Sequence, residues 1–270
     1  RLEKYAECPF AYFAQYALRA KERKVYELSP PDIGSFIHMV LDSFSSRLDE
    51  NGIGWRDLDK EWCENTVSEI VDSTVDEMSG SILSSSARYR YLKERLKRII
   101  LRAVWLISRQ IKNGGFEPKG HEITFANGGD YPPISIKLPS GERISLIGRI
   151  DRMDTMEDEM GVYVRIIDYK TGMKDFNLSD VYNGLELQLL VYLDAILEYA
   201  RKNTAKPVFP GGILYVRIDD PIIKSDRDMD SAQIEKEMMK QLRMKGLLLA
   251  DVNVIRNMDR NIDGYSLIVP

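Results

Sequence analysis

The residues best placed to do chemistry lie in the run Val162-Tyr163-Val164-Arg165-Ile166-Ile167-Asp168-Tyr169-Lys170. Its apolar alternation predicts a β-strand with Val164, Ile166, Asp168 and Lys170 on one face. A carboxylate and an ammonium then share an otherwise apolar side, where desolvating a charge is costly, so the pair is either a structural ion pair or a site. A second acid, Asp151, ends the strand-like run Ile144 to Asp151, 17 residues upstream of Asp168. The acidic, Met-rich stretch Met153 to Gly161 reads as a solvated turn, so the two runs can pair antiparallel with Asp151 close to Asp168. Two converging acids repel unless a cation lies between them. A hard divalent ion such as Mg2+ takes oxygen ligands and draws one or two carboxylates from a protein. The Tyr169 carbonyl, between the charged pair, is a further candidate ligand. Lys170 would then orient or deprotonate an attacking water, or stabilise charge on a phosphate.

These strands need elements to position them. Ile33, Phe36, Ile37, Val40, Leu41, Phe44 and Leu48 recur at the spacing of one helix face. Helical blocks follow at about Trp55 to Met78 and Tyr89 to Lys112, separated by the serine-rich stretch Ser79 to Ser86, which reads as an exposed loop. After Asn113-Gly114-Gly115 the period switches to alternation, with strands expected around Glu122 to Phe125, Ile134 to Leu138, Ile144 to Met153 and Val162 to Lys170. Gly184 to Ala200 reads as a buried helix, Gly212 to Ile218 as a strand, and Asp230 to about Lys245 as an amphipathic helix with an Asp230/Gln233 cap that stops at Gly246. The fold class is α/β: a small mixed sheet carrying Asp151, Asp168 and Lys170, flanked by helices, with a helical insertion at about 55–112 in a single domain over 1–270.

Length and composition bound the rest. A chain of 270 residues with 44% hydrophobic residues builds a sizeable core, which excludes disorder and fibre. The net charge of −4 gives no global positive field toward nucleic acid, so only a local basic patch could provide one. No apolar run approaches the roughly 18 residues that span a bilayer, so no membrane partner is expected. The two cysteines, Cys8 and Cys63, make neither a disulfide framework nor a zinc site. With Arg1 at the start and no signal peptide, a cytoplasmic fragment of a longer chain is the expectation.

The pattern Ile150-Asp151 followed by Asp168-Tyr169-Lys170 resembles the PD-(D/E)XK nuclease superfamily, whose core is the restriction-endonuclease-like fold. Gly34-Ser35-Phe36-Ile37-His38 resembles the G-x-x-x-H element of its RecB-like branch, and Gln188 with Tyr192, at i and i+4, the Q-x-x-x-Y element. Longer strings, Tyr5 to Phe13, Ile166 to Gly172 (IIDYKTG), Val181 to Leu193 and Met244 to Asp251, resemble the nuclease domain of one family of bacterial helicase–nuclease components. The resemblance implies an Mg2+-dependent DNA exonuclease, with Mn2+ able to substitute, that acts in double-strand break repair with an AddA-type helicase–nuclease as partner. It implies that His38, Asp151, Asp168 and Tyr169 hold the metal, and that Lys170, Asp168, Asp151, Gln188 and Tyr192 serve catalysis. Family members carry a four-cysteine iron–sulfur module; Cys8 stands where the first ligand would be, but no three cysteines follow, so a 4Fe–4S cluster is expected only in a longer chain.

Plainer readings stand beside these. A catalytically inactive DNA-binding or docking module would keep the fold but should have lost an acid or the lysine, and none is lost; a stand-alone RecB-like nuclease differs only in its neighbours. His38 could be an ordinary half-buried histidine, and His121 a surface one. Glu122, on a candidate strand, is a possible third acid. Gln188 and Tyr192 could satisfy each other or contact DNA or Lys170. Tyr5, Phe10, Tyr12, Phe13 and Tyr16 read first as core packing, with base stacking as the alternative. Arg88, Arg90, Lys93, Arg95, Lys97, Arg98 and Arg102 form either a phosphate-tracking stripe or a solvated helix face.

Overall fold

The computed structural model describes residues 2–20, 30–79, 87–172, 176–223, 229–260 and 266–269. Two short helices, α1 (Leu2–Glu7) and α2 (Pro9–Tyr12), precede three long ones, α3 (Pro30–Asn51), α4 (Lys60–Ser79) and α5 (Ala87–Asn113). Then come β1 (Glu117–Phe125), β2 (Ile134–Lys137), β3 (Arg143–Leu146), β4 (Gly148–Glu157), β5 (Val162–Lys170), α6 (Leu178–Tyr182), α7 (Gln188–Asn203), β6 (Val208–Arg217), α8 (Ser231–Gln241), β7 (Met244–Leu248), α9 (Val252–Met258) and β8 (Ile268–Val269). The main sheet has the order β1-β4-β5-β6-β7-β8 and is mixed: β5 and β6 run parallel, joined through α6 and α7, while β4 and β5 form an antiparallel hairpin. The expected α/β class with a mixed sheet between helices is what the chain adopts.

Alternation along β5 divides the core. Tyr163, Ile167 and Tyr169 face a large cluster formed by α3, α4 and α5, whereas Val164 and Ile166 face a smaller one under α7. On α3 the buried residues Phe36, Ile37, Val40, Leu41, Phe44 and Leu48 form the stripe that the sequence spacing predicts. That stripe fixes α3 against the sheet and leaves His38 at its rim.

Several boundaries differ from the sequence expectation, each for a local reason. The run Ile144 to Met153 is two strands, broken at the exposed Ile147; β3 pairs with β2 in a separate small sheet, and β4 begins at Gly148. The Met153 to Gly161 stretch is mostly strand, because β4 continues to Glu157 and the turn is only Asp158 to Gly161. There the Asp158 carboxylate accepts the Met160 and Gly161 N–H groups at 2.8 and 3.2 Å. α4 starts at Lys60 because Asp59 accepts the Trp62 N–H and ends the preceding turn. α8 opens on the expected Asp230/Gln233 capping box but ends at Gln241. Gly246 lies inside β7, where a Cβ would meet the Ile213 carbonyl oxygen at 2.0 Å, so it serves close strand approach and not a helix stop. Of the serine-rich stretch, residues 80–86 lie outside the described residues.

The amino-terminal aromatics are not core. Tyr5, Phe10 and Phe13 are 57%, 75% and 49% exposed, and among the described residues the rings of Tyr5 and Tyr12 and of Tyr12 and Tyr16 meet one another. The basic run on α5 is paired in part: Lys93 and Lys97 reach Asp72 at 2.7 and 2.8 Å, and Arg102 reaches Asp220 at 2.6 Å, while Arg90, Arg95 and Arg98 meet no acid among the described residues. The side chain of Arg88 is outside the described residues.

Candidate metal centre

The β4–β5 ladder runs from Glu157 opposite Val162 to Arg152 opposite Ile167 and stops there. One residue beyond, the Asp151 carboxylate accepts the Tyr169 N–H at 2.6 Å and takes the place of a strand partner. Asp151 is thereby fixed at the mouth of the hairpin, next to Asp168; the two are 8% and 7% exposed. From α3, His38 places Nε2 at 3.0 Å from the Tyr169 carbonyl oxygen and Nδ1 at 3.2 Å from Asp151 Oδ1. The helix can come this close because Gly34, one turn earlier, lies against Thr171 at the end of β5; a Cβ there would already be 3.3 Å from Thr171 Oγ1.

Glu122 completes the group. Its Oε1 is 3.8 Å from His38 Nδ1, and its carboxylate is ion-paired with Arg149. Its backbone φ is +48°, a left-handed conformation that costs a non-glycine residue roughly 1–3 kcal/mol and that clusters at functional sites. Ligand atoms of His38, Glu122 and Asp151 all lie within 4.8 Å of one another, which makes these three the metal-capable group among the described residues. Asp168 stands beside that trio with its Oδ2 engaged by Lys170 Nζ at 2.6 Å, and Lys170 also lies over the Tyr215 ring at 5.6 Å. One imidazole, three nearby carboxylates and the Tyr169 carbonyl suit a divalent ion that accepts oxygen and imidazole donors.

Three carboxylates, Asp151, Asp168 and Glu122, face two fixed cations, Lys170 and Arg149, and the imidazole is drawn to supply the third positive charge. Burial works against a charge on His38, yet Asp151 and then Glu122 raise its imidazole to about 10. The Asp168 carboxyl is raised first by burial and then by the Asp151 charge, with Lys170 opposing both. Acids and imidazole here hold one another's charges.

Gln188 and Tyr192 lie on α7 as expected, although the helix starts at Gln188 and not at Gly184. Gly184 is left-handed at φ +77°, and the first N–H groups of the helix are capped from afar: Glu3 Oε1 accepts from Leu187 and Gln188 at 2.9 and 3.0 Å. Tyr192 is hydrogen-bonded with Gln188 and with the Arg149 backbone, and its phenol is raised mainly by burial. It packs so tightly over Gly148 that a Cβ there would sit 1.8 Å from its hydroxyl. Gln188 and Tyr192 therefore satisfy each other and hold the start of β4. His121 is half-buried and hydrogen-bonded to Asp42 at 2.7 Å, directed away from the trio that its neighbour Glu122 joins.

Sequence reasoning missed two acids. Glu3 carries no local signal, since its partners are 184 and 185 residues away. Glu186 is 4% exposed and acts with burial and Asp168 to raise the Tyr215 phenol. Cys8 caps α2 through its Sγ, which accepts the Ala11 N–H at 3.5 Å, and Cys63 is buried in α4 with its thiol pushed up to about 11 by burial and by Asp59. Two cysteines in these settings do not fit a cluster that needs four thiolates.

Comparison with known proteins agrees with this geometry. The chain is 53% identical over all 270 residues to the B component of an ATP-dependent helicase/deoxyribonuclease from Ruminiclostridium cellulolyticum, and 54% identical over the same span to proteins of that name from Clostridium novyi and Acetivibrio thermocellus. It spans about a quarter of the length of these relatives, 24% in each case. The family model of the PD-(D/E)XK nuclease superfamily matches residues 1–262, and with the hairpin acids, the adjacent lysine and the α3 histidine assembled as described, this chain belongs to that superfamily.

Proposed function

We propose that the chain is the metal-dependent DNA nuclease domain of an AddB-type helicase–nuclease component, an exonuclease that works with an AddA-type partner at double-strand breaks in the cytoplasm. The names of the relatives support the setting. The observation that carries the chemistry is the convergence of His38, Glu122 and Asp151 beside the Asp168–Lys170 pair. No helix among the described residues is long and apolar enough to cross a membrane.

His38, Glu122 and Asp151 would hold the ion, Mg2+ or Mn2+, with Asp168 and the Tyr169 carbonyl alongside. When bound, the ion supplies a Lewis acid against the negative charge that gathers on the phosphodiester. Asp151 fixes Tyr169 through its N–H, and with it the direction of the carbonyl. Asp168 holds the Lys170 ammonium in place, and Lys170 orients the attacking water and offsets charge on the phosphate oxygens. Gln188 and Tyr192 hold Arg149 and Gly148, the residues that lead into Asp151. The iron–sulfur cluster has no place in this chain's own chemistry; Cys8 could contribute one ligand only where a longer chain brings three more.

The test is substitution in the full-length protein. Asp168→Ala or Lys170→Ala should abolish Mg2+-dependent degradation of linear DNA while circular dichroism stays that of the parent. Cleavage by Asp168→Ala at the parent's rate, with contaminating nuclease excluded, would end this reading.

A further inference from the structure

Of the basic run on α5 that the sequence offered as a phosphate track, Lys93 and Lys97 share Asp72 and Arg102 pairs with Asp220. A second set of cations converges elsewhere. Between the carboxy-terminal half of α5 and α8 lies a groove of about 380 Å3, lined by Arg109, Lys236, Lys240 and Arg243 with Glu235, and with Met239 and Leu267 as its apolar floor; Lys240 pairs with Glu237 at 2.5 Å. Among the described residues neither Arg109 nor Arg243 has an acidic partner. Two such guanidinium forks over an apolar floor match the phosphates and the sugar–base surface of a nucleic-acid strand better than they match one compact anion.

The sheet register relates the groove to the candidate metal centre. Lys170 is in register with Arg217 on β6, and Tyr215 with Lys245 on β7. Extending that antiparallel register by two residues brings Arg243, immediately before β7, level with Arg217. Lys170, Arg217 and Arg243 thus step across one end of the sheet, with about 10 Å between the first and the last at a strand separation of roughly 4.8 Å; Lys170 pairs with Asp168 and Arg217 with Asp219, each at 2.6 Å, so Arg243 is the member of the row with no acid of its own among the described residues.

Building on the nuclease reading, we propose that this α5–α8 groove is a docking channel for the phosphodiester backbone of a single DNA strand whose scissile bond lies at Lys170. The groove holds the strand a short distance from the cut and does not touch the reacting phosphate. Arg109 and Arg243 are its anchoring contacts, and the row Lys170, Arg217 and Arg243 is the route by which the strand rounds the sheet edge.

The experiment compares the full-length protein with its Arg109→Ala/Arg243→Ala double variant. For a single strand of about 20 nucleotides, KM should rise about tenfold with kcat unchanged, and the salt slope of binding should fall by about 1.4, roughly 0.7 for each lost phosphate contact on a single strand. A substrate of two or three nucleotides, too short to reach from Lys170 into the groove, should be cut as before. The Arg109→Lys/Arg243→Lys variant keeps both charges and should restore the slope. A photoreactive residue at position 235 should crosslink to the strand. Unchanged KM and salt slope on the long strand overturns the proposal, and so does a crosslink from position 235 to polypeptide alone, which would assign the groove to an acidic protein segment. Binding by fluorescence anisotropy in chelator reads the groove separately from catalysis: a parent that binds through these arginines but never cuts would refute the nuclease reading and leave the groove standing.

Discussion

β4 and β5 carry two charge clusters made from the same residue types, a few residues apart, and the two are built in opposite ways. In the first, Asp154 is fully buried and accepts Arg152 Nε and Nη2 at 2.9 Å each and Arg165 Nε at 2.8 Å, while Arg165 also lies over the Phe116 ring at 4.7 Å. Both oxygens of the carboxylate meet guanidinium groups of this chain. In the second, Asp151, Asp168 and Glu122 share a rim where the opposing charges are Lys170, Arg149 and an imidazole that must take up a proton to help. Burial barely separates Asp154 from Asp168, and residue type does not separate them at all. The distinguishing property is how the carboxylates are met: Asp154 has two guanidinium groups of its own chain, whereas the three acids of the second cluster have two fixed cations and are balanced only by a further positive charge, on the imidazole or from outside.

The carboxyl groups register this difference. Burial would raise the Asp154 carboxyl, but Arg152 and Arg165 overcome it and hold the group below the ordinary carboxylate range. Asp168 is raised by burial and by Asp151 despite Lys170. The largest effect should therefore come from breaking the first cluster. Asp154→Ala leaves two buried guanidinium groups facing each other and should cost about 3–5 kcal/mol in a urea titration. A cost under about 1 kcal/mol would mean that water already reaches the two arginines and that the clusters do not differ as described.

Opposite pH slopes should follow at Asp154 and Asp168. A lowered carboxyl such as Asp154 contributes stability that is present above its unfolded value, about 4, and is lost as pH falls through the folded value. A raised carboxyl such as Asp168 binds its proton more tightly in the folded chain, so stability declines as pH rises from about 4 through the folded value. Asp168→Asn, in chelator at neutral pH, should melt no lower than the parent and should gain up to about 1 kcal/mol from the lost repulsion, less what the Lys170 pair contributed. The gain should vanish in acid, where Asp168 in the parent is protonated too. Asp151 offers no such gain, because its carboxylate also caps the Tyr169 N–H and holds His38. A gain in Asp168→Asn that persisted unchanged into acid would detach it from the charge of this carboxylate.

How much of this was legible in the sequence depended on how far each partner lay along the chain. β5 was readable to the residue, because alternation with apolar side chains on both faces is a local signal that burial on both sides reinforces. The α3 stripe and the Asp230 capping box were readable for the same reason. The break at Ile147 was not, because the alternation of β3 continues into β4, while the pairing of β3 with β2 and the Tyr192 ring lying on Gly148 exist only in the folded chain. Asp151, Asp168, Lys170 and His38 were recognisable by type and spacing. That Glu122 joins His38 and Asp151, while Asp168 turns to Lys170, required a left-handed residue that no pattern announces. Glu3 was invisible, since a cap contributed from 184 residues away exists only once the chain is folded.

Tyr169 touches both clusters, and it supplies the finest test of whether they act separately. Its hydroxyl receives Arg152 Nη1 at 3.4 Å in the first cluster, and its backbone N–H and carbonyl meet Asp151 and His38 in the second. Tyr169→Phe removes only the first of these contacts and keeps the ring in the core. The expected loss is small, about 0.5–1.5 kcal/mol, because one long hydrogen bond disappears while Arg152 keeps both of its bonds to Asp154. Metal affinity, measured by calorimetry with Mn2+, should stay within about threefold of the parent, since a single weak contact across separate networks couples by a few tenths of a kcal/mol. A tenfold loss of affinity would show that the buried arginines set the direction of the Tyr169 carbonyl, and the two clusters would then have to be treated as a single electrostatic unit.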